Sequence, residues 1–164
     1  MRPRGAAAAL LAAALAAGPA AAQQVTVRYV APERFTDAEN RYGSAQTLRT
    51  TLAEMTRIFE EAGARRLLPG DDLAVTVLDI DLAGFERPSF SAPQGVRVVT
   101  DAGPPRIRLA YRLRRGGRVA AQGEETLTDI NFLLTANARF ATGGLYYERV
   151  LVRDWFARRF AGQG

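Results

Sequence analysis

The chain has 164 residues and a formal net charge of +5, and all 22 of its basic residues are arginine; cysteine, histidine and lysine are absent. Those absences exclude disulfides, thiolate and imidazole metal sites, and any nucleophile that depends on a Ser-His, Cys-His or Ser-Lys pair. Ser44, Ser89 and Ser91 are the only serines, none lies in a nucleophile elbow, and there is no glycine-rich phosphate loop.

Arg2 and Arg4 precede an apolar run from Ala6 to Ala17, which Pro19 breaks before the small residues Ala20, Ala21 and Ala22. This pattern reads as a secretory signal peptide over residues 1–22, cleaved between Ala22 and Gln23. The apolar run is shorter than the ~20 residues of a spanning helix, and no cysteine stands at the junction to take a lipid. Cleavage would leave 142 of the 164 residues as one domain, 23–164, enough to bury about 68–70% of the surface of the unfolded chain without a disulfide. The expected location is the periplasm, with secretion as the alternative. The remaining 20 arginines against 17 acids leave a net charge of +3. A basic protein in that compartment meets lipid headgroups, lipopolysaccharide, cell-wall polymer or another envelope protein, not nucleic acid. An all-arginine basic set also follows from a GC-rich codon bias. No cofactor is implied, and no transmembrane segment remains after cleavage.

Val25 to Val30 alternates as a first strand, and the polar stretch Ala31–Gly43 reads as a loop. A helix follows, with Ser44 as its N-cap and Leu48, Leu52, Met55, Phe59 and Ala62 on one face. Glu61 and Arg65 stand at i, i+4. Gly63 is either the helix stop or a weak point before Arg66, and Leu68-Pro69-Gly70 is a turn. Leu73–Leu82 is the second strand. Its core face is expected to be Ala74, Thr76, Leu78, Ile80 and Leu82, because that set stays apolar to the end, with Val75, Val77, Asp79 and Asp81 opposite. Gly84–Gly95 reads as a loop and Val96–Thr100 as a short strand.

Pro104–Asn131 carries the clearest pattern, a hairpin with an apolar inner face and an arginine outer face. Ile107, Leu109, Tyr111 and Leu113 alternate with Arg106, Arg108, Arg112 and Arg114. Side-chain parity favours a three-residue loop, Arg115-Gly116-Gly117, pairing Leu113 with Val119 and Arg108 with Glu124. That register turns Glu125 inward, unless a bulge corrects it or it lies at the open end of the sheet. Thr128–Gly144 is a long connection whose Phe132, Leu133 and Leu134 imply partial packing. A last helix, Leu145–Phe160, docks Leu151, Val152, Trp155, Phe156 and Phe160 on the sheet, with Asp154 and Arg158 at i, i+4. The order β-α-β-β-β-α predicts an α+β fold: a mainly antiparallel four- to five-stranded sheet with two helices on one face.

Two sets of residues are candidate sites. Arg106, Arg108, Arg112 and Arg114 present guanidinium forks suited to phosphate or another anionic envelope group. Asp79, Asp81, Glu124, Glu125 and Asp129, with Asn131, offer carboxylates for a hydrolase acid and base or a hard cation such as Ca²⁺. The same acids also suit a cross-strand network with Arg97, Arg108 and Arg112, each pair contributing ~0.2–1 kcal/mol. The aromatic residues Tyr146, Tyr147, Trp155, Phe156 and Phe160 read as core.

Asp79-Ile80-Asp81-Leu82-Ala83-Gly84, Pro104-Pro105-Arg106-Ile107, the run from Gly123 to Asn131, and Tyr147-Glu148 with Asp154-Trp155-Phe156 occur in one order. Together they resemble the bacterial family DUF3016, small exported proteins, over about Val25 to Phe160. The resemblance implies an exported single domain and no established activity. The element order also looks like that of some outer-membrane assembly accessory proteins, a likeness of fold that carries no function. The expected role is a non-catalytic binding or envelope-accessory module; the alternative is a carboxylate-based hydrolase or a divalent-cation-binding protein.

Overall fold

The computed structural model describes residues 22–40, 47–86, 97–135 and 144–160. The leader up to residue 21 and Ser44 lie outside the described residues. The elements are β1 (Gln24–Tyr29), α1 (Leu48–Ala64), β2 (Asp72–Asp81), β3 (Phe85–Glu86), β4 (Arg97–Val98), β5 (Arg106–Arg115), β6 (Arg118–Thr128), α2 (Phe132–Thr135) and α3 (Tyr146–Arg159). The fold is α+β. Its main sheet has the order β1-β2-β5-β6, and β3 and β4 form a separate two-stranded ribbon. β1 runs parallel to β2, while β2–β5 and β5–β6 are antiparallel. The sheet is therefore mixed: α1 is a crossover that returns the chain to the end where β1 began, so the next strand runs the same way.

α1 and α3 cover one face of the sheet. Met55, Ile58 and Phe59 from α1 and Val152, Trp155 and Phe156 from α3 meet Val75, Val77, Ile107, Leu109 and Leu113 in one core. Trp155 lies in T-shaped contact with Phe59, Tyr111, Phe156 and Phe160, whereas Tyr146 and Tyr147 stay only partly buried. Thr47 caps α1: its Oγ1 accepts the Thr50 N–H at 3.3 Å. Gly63 lies within α1 and is buried. A Cβ there would stand 2.3 Å from Val25 Cγ2, so the glycine lets the helix cross close over β1. Glu61 turns from its helical neighbour Arg65 to Arg149 of α3, at 2.5 Å, and Arg149 also holds Glu54 at 2.6 Å. One guanidinium thereby ties the two helices together. In α3, Asp154 pairs with Arg153 rather than with Arg158.

Two bulges set the faces of the sheet. In β2 the register slips between Val77 and Asp79, leaving Leu78 without a partner on β5. The buried side chains are Leu73, Val75 and Val77 before the slip, then Ile80 and Leu82 after it. Of the expected inner set Ala74, Thr76, Leu78, Ile80 and Leu82, only Ile80 and Leu82 face inward, because an extra residue reverses parity halfway along. In the hairpin, Arg115 pairs with Arg118, so the turn is Gly116-Gly117 alone, and both glycines have positive φ (55° and 77°), as a tight hairpin turn requires. Arg114 then faces Val119, while Leu113 faces Ala121. Ala120 is the bulged residue. It replaces the three-residue loop and the Leu113–Val119 pair: Leu127 stays buried opposite Ile107, and Val119 turns out to water at 50% exposure. Arg108 faces Thr126, not Glu124, and reaches Glu124 diagonally at 3.7 Å.

Candidate functional site

The uncovered face of the sheet is laid out by register. From β1 to β6, one row holds Thr26, Ala74, Arg112 and Gln122, and the next holds Arg28, Thr76, Ala110 and Glu124. Beyond the Leu78 bulge come Asp79, Arg108 and Thr126, then Asp81, Arg106 and Thr128. Ala74, Thr76 and Ala110 form the floor of a shallow open groove of about 590 Å³ that Arg112, Gln122 and Glu124 also line.

The four arginines of β5 divide into two pairs. Arg106 holds Asp81 at 3.0 Å and Arg108 approaches Glu124. Arg112 and Arg114 are exposed and have no hydrogen-bond or ion-pair partner among the described residues. Arg28, on β1 across the small-residue floor, is likewise exposed and unpaired among them. The sequence reading missed Arg28; it stands in an alternating strand on the same face, but the pairing of β1 with β2 could not be read from the pattern.

The acids do not gather. Asp79 accepts the backbone N–H and the hydroxyl of Thr36, both at 2.8 Å, and so pins the segment after β1. Asp81 faces Arg106; burial raises its carboxyl, Arg106 opposes that rise, and Asp37 and Asp79 add to it. Glu124 has Arg108. Glu125 does turn inward, where it accepts the Trp155 Nε1–H at 3.2 Å and pairs with Arg159. Asp129 accepts the backbone N–H of Asn131 at 2.9 Å. Among the described residues no group of three or more acids is arranged to hold a metal ion.

A buried polar hub lies near the end of β2. Arg97 donates to both oxygens of Asp37 (2.7 and 3.2 Å), to Asn40 (3.3 Å), and to the carbonyls of Leu82, Ala83 and Gly84. Glu148 accepts the Ala83 N–H at 2.7 Å, and burial pushes its carboxyl above the usual range despite that bond and the nearby Arg97. The sequence reading did not single out Glu148, although its place three and four residues before Leu151 and Val152 is a helical spacing that marks the core face. A second internal pair lies at the other end of β2. Buried Asp71 accepts from Arg115 at 2.7 and 2.9 Å, and this bond holds its carboxyl below the usual range. Both hubs serve the fold, since every polar bond named in them ties the loops and elements around the sheet to one another.

The geometry defines a small α+β protein, two helices on a four-stranded sheet, whose free face is arginine-bearing at one end and neutralised at the other. It belongs to the DUF3016 family, described as a protein of unknown function, whose pattern matches residues 23–158. Comparison with curated proteins finds no match. Among solved structures, a dodecamer of a PelC variant from Paraburkholderia phytofirmans is similar at 15% identity and a TM-score of 0.33, over 89% of this chain and 94% of that chain. No helix among the described residues is long and apolar enough to cross a membrane.

Proposed function

We propose that this protein is a non-catalytic binding module of the cell envelope, carried to the periplasm by its N-terminal leader, which engages an anionic envelope component through its open sheet face. The supporting observation is the set of guanidiniums on the open sheet face that have no partner among the described residues, Arg28, Arg112 and Arg114, around a floor of small side chains. Arg106 and Arg108 are committed to Asp81 and Glu124; these three make no ion pair among the described residues, although Asp72 stands opposite Arg114 on β2, and their forks suit phosphate oxygens. A flat face rather than a deep pocket fits a surface or a polymer of phosphate groups. The acids proposed for hydrolysis or cation binding each have a separate structural partner, and no observation favours that alternative.

The test is co-sedimentation with vesicles containing anionic phospholipid, against purely zwitterionic vesicles. Each arginine near an anionic surface contributes about 1 kcal/mol, so the double variant Arg28→Glu with Arg112→Glu should weaken binding at least ~30-fold. Arg49→Glu, on the exposed side of α1, should leave it unchanged, and added salt should weaken the parent protein. Equal binding by the double variant and the parent would reject the sheet face as the site.

A further inference from the structure

Where the open end of the hairpin meets α3 there is a cleft of about 250 Å³. It is lined by Thr128 and Asp129 from the end of β6, Phe132 from α2, and Tyr147, Asp154 and Arg158 from α3, among others. None of these lies on the open sheet face that carries Arg28, Arg112 and Arg114. We infer that this cleft is a second binding site, for a single neutral polyhydroxylated ring, a sugar or a cyclic polyol.

Size is the first reason. The cleft is smaller than the ~300–1,000 Å³ of sites for drug-sized ligands, so it suits one ring. Its hydrogen-bonding groups are the second. Asp129 uses one carboxylate oxygen for the Asn131 N–H, and Asp154 uses one for Arg153. Among the described residues, each keeps its other oxygen free as an acceptor. Arg158, a donor only, is exposed and has no partner among them, although Asp154 stands one helical turn away. Carboxylates accept but do not donate, and guanidinium donates but does not accept. A hydroxyl does both, so adjacent hydroxyls on one ring satisfy the carboxylates and Arg158 together. An anion would meet Asp129 and Asp154, and a cation would meet Arg158. The third reason is an apolar plate. The Tyr147 ring is wedged by T-shaped contacts with Phe132, at 5.0 Å, and with Tyr146, at 5.4 Å. A fixed ring beside polar groups gives the C–H face of a sugar a surface to rest on.

The purified protein is titrated with glucose, galactose, N-acetylglucosamine and inositol, with glycine, glutamate and inorganic phosphate as comparators, and amide NMR shifts are followed. The expected result is saturable shifts at Thr128–Asn131 and Tyr147–Arg158 with at least one neutral ring and none with the comparators. Arg158→Met and Asp129→Asn should each weaken that binding about tenfold or more, the loss of one hydrogen bond to a charged group. Arg112→Glu should leave it unchanged, which separates this site from the sheet face. Melting curves on each variant check the fold, and Arg158→Lys, which keeps the charge, should bind between the parent and Arg158→Met. The inference is overturned if no neutral ring gives saturable shifts, if the comparators bind as well, if the shifts map to the sheet face, or if Arg158→Met and Asp129→Asn bind as the parent does.

Discussion

Deleting Ala120 should leave this protein folded. The hairpin pairs Arg114 with Val119 and Leu113 with Ala121, and Ala120 is the one residue between them with no partner on β5. Without it the two pairs become consecutive and in step. Arg114 and Val119 still face water, Leu113 and Ala121 still face the core, and no side chain from Ala121 to Thr128 changes sides. The change is confined to the local twist that a bulge adds, so stability should move by no more than about 1 kcal/mol. Deleting Thr126 makes the contrast. If the bulge straightens to absorb that loss, Ala121 to Glu125 exchange faces: Gln122 and Glu124 turn to the core, and Glu125 abandons the Trp155 indole. Each buried polar group left without a partner costs about 1–3 kcal/mol. If the bulge persists instead, Leu127 leaves the core, at about 1.5–3 kcal/mol for its burial. Either way at least ~1.5 kcal/mol is lost. Urea unfolding followed by fluorescence of Trp155, the sole tryptophan, measures both variants. A loss above ~3 kcal/mol for the Ala120 deletion, or equal losses for the two, would refute the bulge as the device that sets the faces.

Gly63→Ala should destabilise the protein by about 1 kcal/mol, because the gain in helix propensity of ~1 kcal/mol is outweighed by ~1–3 kcal/mol of overpacking against Val25. Adding Val25→Ala should turn the same substitution stabilising, and thermal melts of the two pairs check the reversal; a stabilising Gly63→Ala alone would sink the close-crossing account. Glu148→Gln tests the buried acid. Its raised carboxyl means that folding favours the protonated form: its contribution is fully present below the ordinary glutamate value of about 4.5 and is lost as pH rises through the raised folded value. The substituted amide would keep an oxygen for the Ala83 N–H and carry no charge, so the stability difference should shift towards the variant as pH rises from about 4 to about 7. Asp37 and Arg97, the charged groups that face Glu148, accompany it in both proteins. A difference that does not change with pH in matched denaturation curves refutes this.

Much of the fold was legible in the sequence because its signals are local and repeated. The alternation of Ile107, Leu109, Tyr111 and Leu113 with arginines gave β5 its two faces, and the spacing of Leu151, Val152, Trp155 and Phe156 gave α3 its buried side. Glu125 was legible for the same reason, since parity turned it inward before any partner was visible. Its partners, Trp155 and Arg159, lie 30 and 34 residues on, at a distance that no local pattern spans. The core face of β2 was read correctly at Ile80 and Leu82 but misread before Leu78, because Leu78 is an ordinary strand residue and nothing local marks it as bulged. The turn was misread for a similar reason: parity arguments assume one residue for one residue, and Ala120 breaks that count.

The β2 bulge also bears on the proposed site. With unbroken alternation, Asp79 and Asp81 would follow Val75 and Val77 into the core. The extra residue at Leu78 turns both acids outward, opposite Arg108 and Arg106. Asp81 then occupies Arg106, and Glu124 on the far strand occupies Arg108. No acid is brought against Arg112, whose β2 partner is Ala74. A single irregularity in one strand thus leaves an evenly charged arginine stripe neutralised at its open end and without a facing acid at Arg112, while Asp72 stands opposite Arg114 beside the turn. An even stripe would have predicted binding by all four arginines of β5; the bulge predicts binding by Arg112 and Arg114, with Arg28 from across the sheet. Charge reversal at Arg106 should therefore disturb the Asp81 pair and leave anionic-vesicle binding nearly intact, whereas reversal at Arg112 should weaken it.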